Sequence, residues 1–343
     1  MKFPHLRHHI VPCMVLATMI FANAKIAKAI AITPAGAALG FSVSTFVSGF
    51  GVAGFGVGPL GVAVESNGNV LVDASNLNQN YVFSDTDGQT LAGAISHTSF
   101  VSFPPAYATA NNNGVLGATY GSQNNSLVKF NADGTVNTLY SNSSGTTSGL
   151  VITNGMWANP TNGHILATGG GRIYDIDVSG AAPTFRIVTN ASPDGISVSP
   201  DGTIVYGATG NVVGWNIATG AQVLSISVGN SPDGMGVISS SNSLNGDIIV
   251  NGNNGTIVLI DVHNSNALIT IANGGTRGDY TSPDPTNGSL FVTQSNEIDR
   301  LTCGAGCGIG APPPPPPDGT PEPASLFMFG GGLAGLAFLR FRK

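Results

Sequence analysis

The chain has 343 residues, of which only 9% are charged and 42% hydrophobic, with 48 glycines and a formal net charge of −6. Seven of its twelve cations lie in the first 28 and last four residues; between Ile32 and Asp318, five (Lys129, Arg172, Arg186, Arg277, Arg300) face seventeen carboxylates, about −12. So acidic a body repels phosphate backbones and argues against nucleic-acid binding, leaving calcium or a cationic surface as the easier electrostatic partner.

Lys2 and Arg7 open the chain, followed by an apolar run from Ile10 to Ala22 broken only by Pro12. Small-x-small sites stand at Ala22-Asn23-Ala24, Ala27-Lys28-Ala29 and Ala29-Ile30-Ala31, the pattern of a cleaved export signal over residues 1–31. The apolar core is short for a permanent anchor, and Cys13 within it leaves with the signal.

Residues 32–302 read as a repeat. Asn-Gly or Asp-Gly pairs at Asn67-Gly68, Asn113-Gly114, Asn162-Gly163, Asp201-Gly202, Asn245-Gly246 and Asn287-Gly288 recur at intervals of 46, 49, 39, 44 and 42 residues. Each precedes a short apolar strand such as Ile204-Val205-Tyr206, and the pairs are expected to supply the positive φ angles of tight hairpins. Before each turn lies a strand of small and apolar residues, as in Pro193-Asp194-Gly195-Ile196 and Pro232-Asp233-Gly234-Met235. Third and fourth strands follow, for example Val212 to Asn216 and Gln222 to Val228. Four strands per period near 44 residues is a β-propeller blade. The expected fold is therefore all-β, a six-bladed β-propeller. The sixth blade runs out after Glu297 to Leu301, while an unassigned strand, Phe41 to Val47, stands at the other end. Pairing the two closes the ring and removes two open edges. A β-sandwich or a right-handed β-helix are the competing folds, though a β-helix would want shorter, more even coils.

Motifs for chemistry are weak. Gly49-Phe50-Gly51-Val52-Ala53-Gly54 fits a dinucleotide fingerprint but lacks the following helix that would hold a pyrophosphate. Arg277-Gly278-Asp279 copies an adhesion tripeptide, read as coincidence. His97, His164 and His263 have no ligand spacing. The Pro-Asp-Gly loops could aim Asp194 and Asp233 at a channel mouth, with Asp279 beside them, although turn chemistry alone also favours Asp before Gly. The repeats resemble those of six-bladed propellers of the gluconolactonase and regucalcin type, and of the NHL and YVTN groups. In the lactonases, a Glu, an Asn and an Asp from different blades hold a divalent metal. Where that glutamate would stand this chain has Gly58-Pro59-Leu60, so the site is not carried over, and no catalytic residue, metal or cofactor is expected.

Cys303 and Cys307 remain after export, spaced for a small disulfide loop in an oxidising compartment. They open a linker, 303–320, in which Pro312 to Pro317 should form a stiff polyproline stretch of ~19 Å. Pro321-Glu322-Pro323 follows, then an apolar run from Ala324 to Leu339, then Arg340-Phe341-Arg342-Lys343. The run is 16 residues by count, under the ~20 of a comfortable transmembrane helix, and the terminal cations hold its end on the cytoplasmic side. Residues 321–343 resemble the PEP-CTERM sorting signal of Gram-negative bacteria. The resemblance implies transient inner-membrane association, cleavage by an exosortase-type membrane protease, and delivery to the surface or outside. The expected role is a binding or structural propeller of the envelope or matrix, with exopolysaccharide as a candidate ligand. The alternative is a lactonase-like hydrolase or lyase. Three or more carboxylate, Asn or His side chains converging at one channel mouth would favour the enzyme; scattered polar residues would favour binding.

Overall fold

A computed structural model describes residues 30–52, 56–100, 105–141, 149–229 and 231–310. The signal segment before residue 30, and Pro321, Glu322, Pro323, Arg340, Arg342 and Lys343 of the sorting signal, lie outside the described residues.

The strands form six sheets, the blades of a six-bladed propeller, antiparallel except where Gln89–Thr90 pairs in parallel with Ser42–Ser48. Blade 1 runs from its innermost strand Val62–Val64 through Asn69–Ala74 and Gln79–Ser84 to Ser96–Ser99. The innermost strands of blades 2 to 6 are Tyr107–Asn112, Met156–Ala158, Ile196–Val198, Pro232–Ser240 and Thr281–Asp284. Apolar side chains fill the gaps between neighbouring blades. Ala63, Leu71, Tyr107, Val128 and Phe130 pack between blades 1 and 2, and Tyr206, Val212, Met235 and Val250 between blades 4 and 5.

Glycine sets how closely the blades approach the axis. A Cβ on Gly195 would overlap the Asp233 carbonyl of the next blade, one on Gly155 would sit 2.7 Å from the Asp194 carbonyl, and one on Gly234 would sit 2.7 Å from Thr281 Cγ2. A larger residue at any of the three would force the neighbouring blade to shift.

The turns differ from the expected chemistry. Only Asn113-Gly114 has both residues left-handed, with φ of 52° and 87°, linking Asn112 directly to Val115. In the other five pairs, the glycine alone has positive φ. In four of them the preceding side chain instead accepts the backbone N–H two residues on: Asn67 from Asn69 at 2.8 Å, Asn162 from His164 at 2.9 Å, Asp201 from Thr203 at 3.1 Å and Asn287 from Ser289 at 2.9 Å. These are Asx turns, in which the carboxamide or carboxylate imitates a backbone acceptor.

Blade 6 takes three strands from its own repeat, ending at Glu297–Thr302. Ser42–Ser48 lies antiparallel to that last strand, with Ser42 opposite Thr302 and Ser48 opposite Glu297. Arg300, 8% exposed, fixes this corner. Its guanidinium lies 5.2 Å from the Phe46 ring centroid and 4.6 Å from that of Phe291. It pairs with Asp284 at 2.6 Å, with Asp87 of the blade 1 loop at 2.8 Å and with Asp85.

Two short segments attach to blade 5. Ala31–Ile32 pairs with its outermost strand, Ala267–Asn273, and the helix Pro34–Ala38 follows, capped by the Thr33 hydroxyl. Beyond blade 6, Cys303 and Cys307 form a disulfide with 5.6 Å between Cα atoms. Cys307–Ile309 then adds antiparallel to Ile238–Ser240, so this part of the expected linker is packed against the propeller.

Candidate functional site

One cavity of about 250 Å³ lies at the mouth where the innermost strands begin. Every blade contributes to it: Leu60, Pro105, Asn154, Asp194 and Asp279 stand two positions before the innermost strands of blades 1, 2, 3, 4 and 6, and Asp233 is the second residue of that of blade 5. The ring has two halves. Blades 1 and 2 supply an apolar arc, extended by Val57, while blades 3 to 6 supply Asn154 and three carboxylates.

Tyr280 floors the cup. Its hydroxyl accepts the Tyr107 N–H at 3.1 Å and donates to the carbonyls of Tyr107 and, at 3.0 Å, Met156. One side chain of blade 6 thereby crosses the axis to blades 2 and 3. Burial raises its pKa beyond that of an ordinary phenol, so it stays protonated and acts as a plug. The opposite mouth is nearly filled, with about 20 Å³ left among Val64, Asn111, Ala158, Pro283 and Gly310.

The carboxylates occupy unequal environments. Asp233 is 4% exposed, and its Oδ2 accepts from Asn253 Nδ2 at 3.2 Å. Burial first, then the charges of Asp194 and Asp279, push its pKa up to about 9, with Asn253 and Arg277 opposing. Asp279 is raised by burial against the pull of Arg277, whose Nε donates to Asp279 Oδ1 at 2.5 Å. Asp194, on the exposed rim, is raised by burial and lowered by Arg277. Asp233 is thus held neutral at neutral pH, Asp279 is paired with Arg277, and the Asp194 side chain makes no hydrogen bond among the described residues.

Nothing local in the sequence marks Arg277 for this cup, where it stands within Arg277-Gly278-Asp279. Gly278 between the paired residues is also constrained, since a Cβ there would overlap the Asn251 amide. Asn154, Leu60 and Pro105 emerge only when the blades are aligned on their innermost strands. The histidines stay apart: His164 Nδ1 pairs with Asp175 at 2.8 Å, His263 Nε2 meets the Asn245 carbonyl at 2.6 Å, and the His97 ring lies 5.5 Å from that of Tyr81.

A metal of the lactonase kind does not fit. Leu60 holds the first-blade position, Arg277 already occupies Asp279, and among the described residues no three His, Cys, Asp or Glu side chains are grouped to hold an ion. Residues 320–343 match the PEP-CTERM protein-sorting motif. The chain carries an exosortase sorting signal. The PEP-CTERM propeller is similar in fold to a gluconolactonase from Xanthomonas campestris, at TM-score 0.55 and 15% identity, over 79% of this chain and 94% of that one. At that identity the likeness extends to the fold alone. No curated protein matches the chain.

Proposed function

We propose that this exported, exosortase-sorted propeller is a binding protein of the cell envelope or extracellular matrix, taking a small ligand in its axial cup. The observation that carries this reading is the single cavity collecting one residue from every blade, apolar on one arc and acidic on the other. At about 250 Å³ it is slightly below the ~300–1,000 Å³ usual for drug-sized ligands. Soaking crystals of the protein with small polar and apolar fragments tests it. Fragments that populate the surface while leaving the cup empty would refute it.

The convergence of Asn154, Asp194, Asp233 and Asp279 favours a second reading, a hydrolase or lyase acting on a lactone or sugar-like substrate. Two features turn the balance to binding. Leu60 replaces a polar group on the first blade, and Arg277 engages the carboxylate nearest to it. Proton release from glucono-δ-lactone should stay at the buffer rate; a rate abolished by Asp194→Asn would restore the enzyme.

Three finer assignments belong to the same reading. Ser42–Ser48 serves as the closing strand of the ring, supported by its register with Glu297–Thr302. Export-signal cleavage falls after Ala24 or Ala29 rather than Ala31, because Ile30 is 6% exposed and Ala31 pairs with Asn273. Exosortase then cuts near Pro321-Glu322-Pro323. Mass spectrometry of both termini of the surface form tests the last two; intact protein ending at Lys343 in the medium would sink the sorting step.

A further inference from the structure

The cup combines a buried acid with an open side. Asp233 is 4% exposed and lines the cavity. Only its Oδ2 has a hydrogen-bond partner among the described residues, the amide of Asn253; Oδ1 has none. Asp194 on the rim also makes no side-chain hydrogen bond among the described residues. The charged groups facing Asp233 are Asp194 from blade 4 and Asp279 and Arg277 from blade 6. Across the cavity stand Val57, Leu60 and Pro105, which offer no hydrogen bond to a polar ligand from their side chains.

Resting on the binding reading above, we propose that the cup binds a small organic ammonium ion, its charged head between Asp233 and Asp194 and its apolar body against Val57, Leu60 and Pro105. An ammonium supplies three N–H donors, which the free Asp233 Oδ1 and the Asp194 carboxylate can accept. A hydrocarbon body matches the other arc, where a hydroxyl-rich ligand would lose hydrogen bonds to water. Burial first, and then the charges of Asp194 and Asp279, raise the proton affinity of Asp233, so without a cation the acid keeps its proton. Binding of R–NH₃⁺ to the protonated carboxyl therefore yields the ion pair and one H⁺ in solution, so charge and atoms balance.

The probe is benzylamine, with benzyl alcohol as its neutral counterpart, titrated into the full-length chain in a neutral detergent. Calorimetry reads affinity, and a pH indicator in unbuffered salt at neutral pH reads the proton. Benzylamine should bind at least about tenfold more tightly than benzyl alcohol, a difference of about 1.4 kcal/mol, and release close to one proton per amine. Asp233→Asn should abolish the proton release and weaken the amine about tenfold or more. Asp194→Asn, at the exposed rim and thus safe for folding, should also weaken it. Equal affinity for the two probes, amine binding without proton release, or full displacement of the amine by calcium chloride would overturn the ammonium assignment while leaving a binding cup. Heat from neither probe would overturn it too, and fragment soaking then decides whether the cup binds anything else.

Discussion

Replacing Arg300 by methionine tests whether a few residues hold blade 6 to blade 1. The change keeps an apolar stem between Phe46 and Phe291 but removes the guanidinium that meets Asp284, Asp87 and Asp85. Asp284 is 0% exposed, so its carboxylate loses its cation in a place water does not reach. Removing one partner of a buried pair costs about 3–5 kcal/mol, and the lost stacking of a desolvated cation on two rings adds up to about 2 kcal/mol. Partial protonation of Asp85, already raised by burial and by Asp284, should return some of this, giving a net loss near 3–5 kcal/mol. For a domain of this size, that corresponds to a fall in melting temperature of about 6–20 °C. Urea and thermal unfolding followed by circular dichroism read the loss. Adding Asp284→Asn to the Arg300→Met chain should recover more than half of it, because the stranded charge is then gone. A single variant within about 0.5 kcal/mol of the parent, or a double variant no better than the single, would refute the argument.

The pH dependence of stability isolates Asp233. Its folded pKa of about 9 lies above its ordinary value of 3.8, so its contribution is greatest below pH 4 and declines as pH rises to about 9. Asp233→Asn should remove that descending limb and stabilise the chain at pH 7 by up to about 4 kcal/mol; an unchanged slope would show that the acid is not held neutral. Gly195→Ala should destabilise by about 1–3 kcal/mol or more through blade-to-blade overlap, whereas Gly93→Ala, with open space around it, should stay within about 0.5 kcal/mol; equal melting of the two would contradict the packing account. Deleting residues 38–48 removes Phe46 and Val47, both 0% exposed, together with the partner of Glu297–Thr302. A deletion variant that melts like the intact chain would refute the closing role of this strand.

The repeat was legible because its punctuation is glycine, and glycine is needed where positive φ or close approach leaves no room for a side chain. The spacing of the Asn-Gly and Asp-Gly pairs therefore marked the blades even though their turn geometry proved different. Ser96–Ser99 gave no signal, since this outer strand has no apolar alternation to reveal it. Cys307–Ile309 was hidden for a related reason: three residues carry no period, and the pairing partner lies some seventy positions earlier. Asp194, Asp233 and Asp279 could be nominated from the loops that deliver them. Their partners could not, because Arg277 and the apolar arc acquire meaning only when six blades meet around one axis. Tyr280 is the extreme case. Its part as a plug depends on reaching carbonyls of two other blades, and no local pattern encodes that reach.

The direction of the innermost strands has a mechanical consequence. They run from the cup toward the opposite mouth, where Gly310 packs near Trp157 and Pro283. Force applied through the chain beyond Gly310 therefore enters on the side away from the cup. It is received first by the hydrogen bond from the Gly310 N–H to the Val237 carbonyl and by the pairing of Cys307–Ile309 with Ile238–Ser240. Behind them the Cys303–Cys307 disulfide limits how much chain can be drawn out before tension reaches blade 6. The cup and the exit of the chain at Gly310 thus lie at opposite poles, and a pull at Gly310 meets the contacts with blade 5 before it reaches the cup.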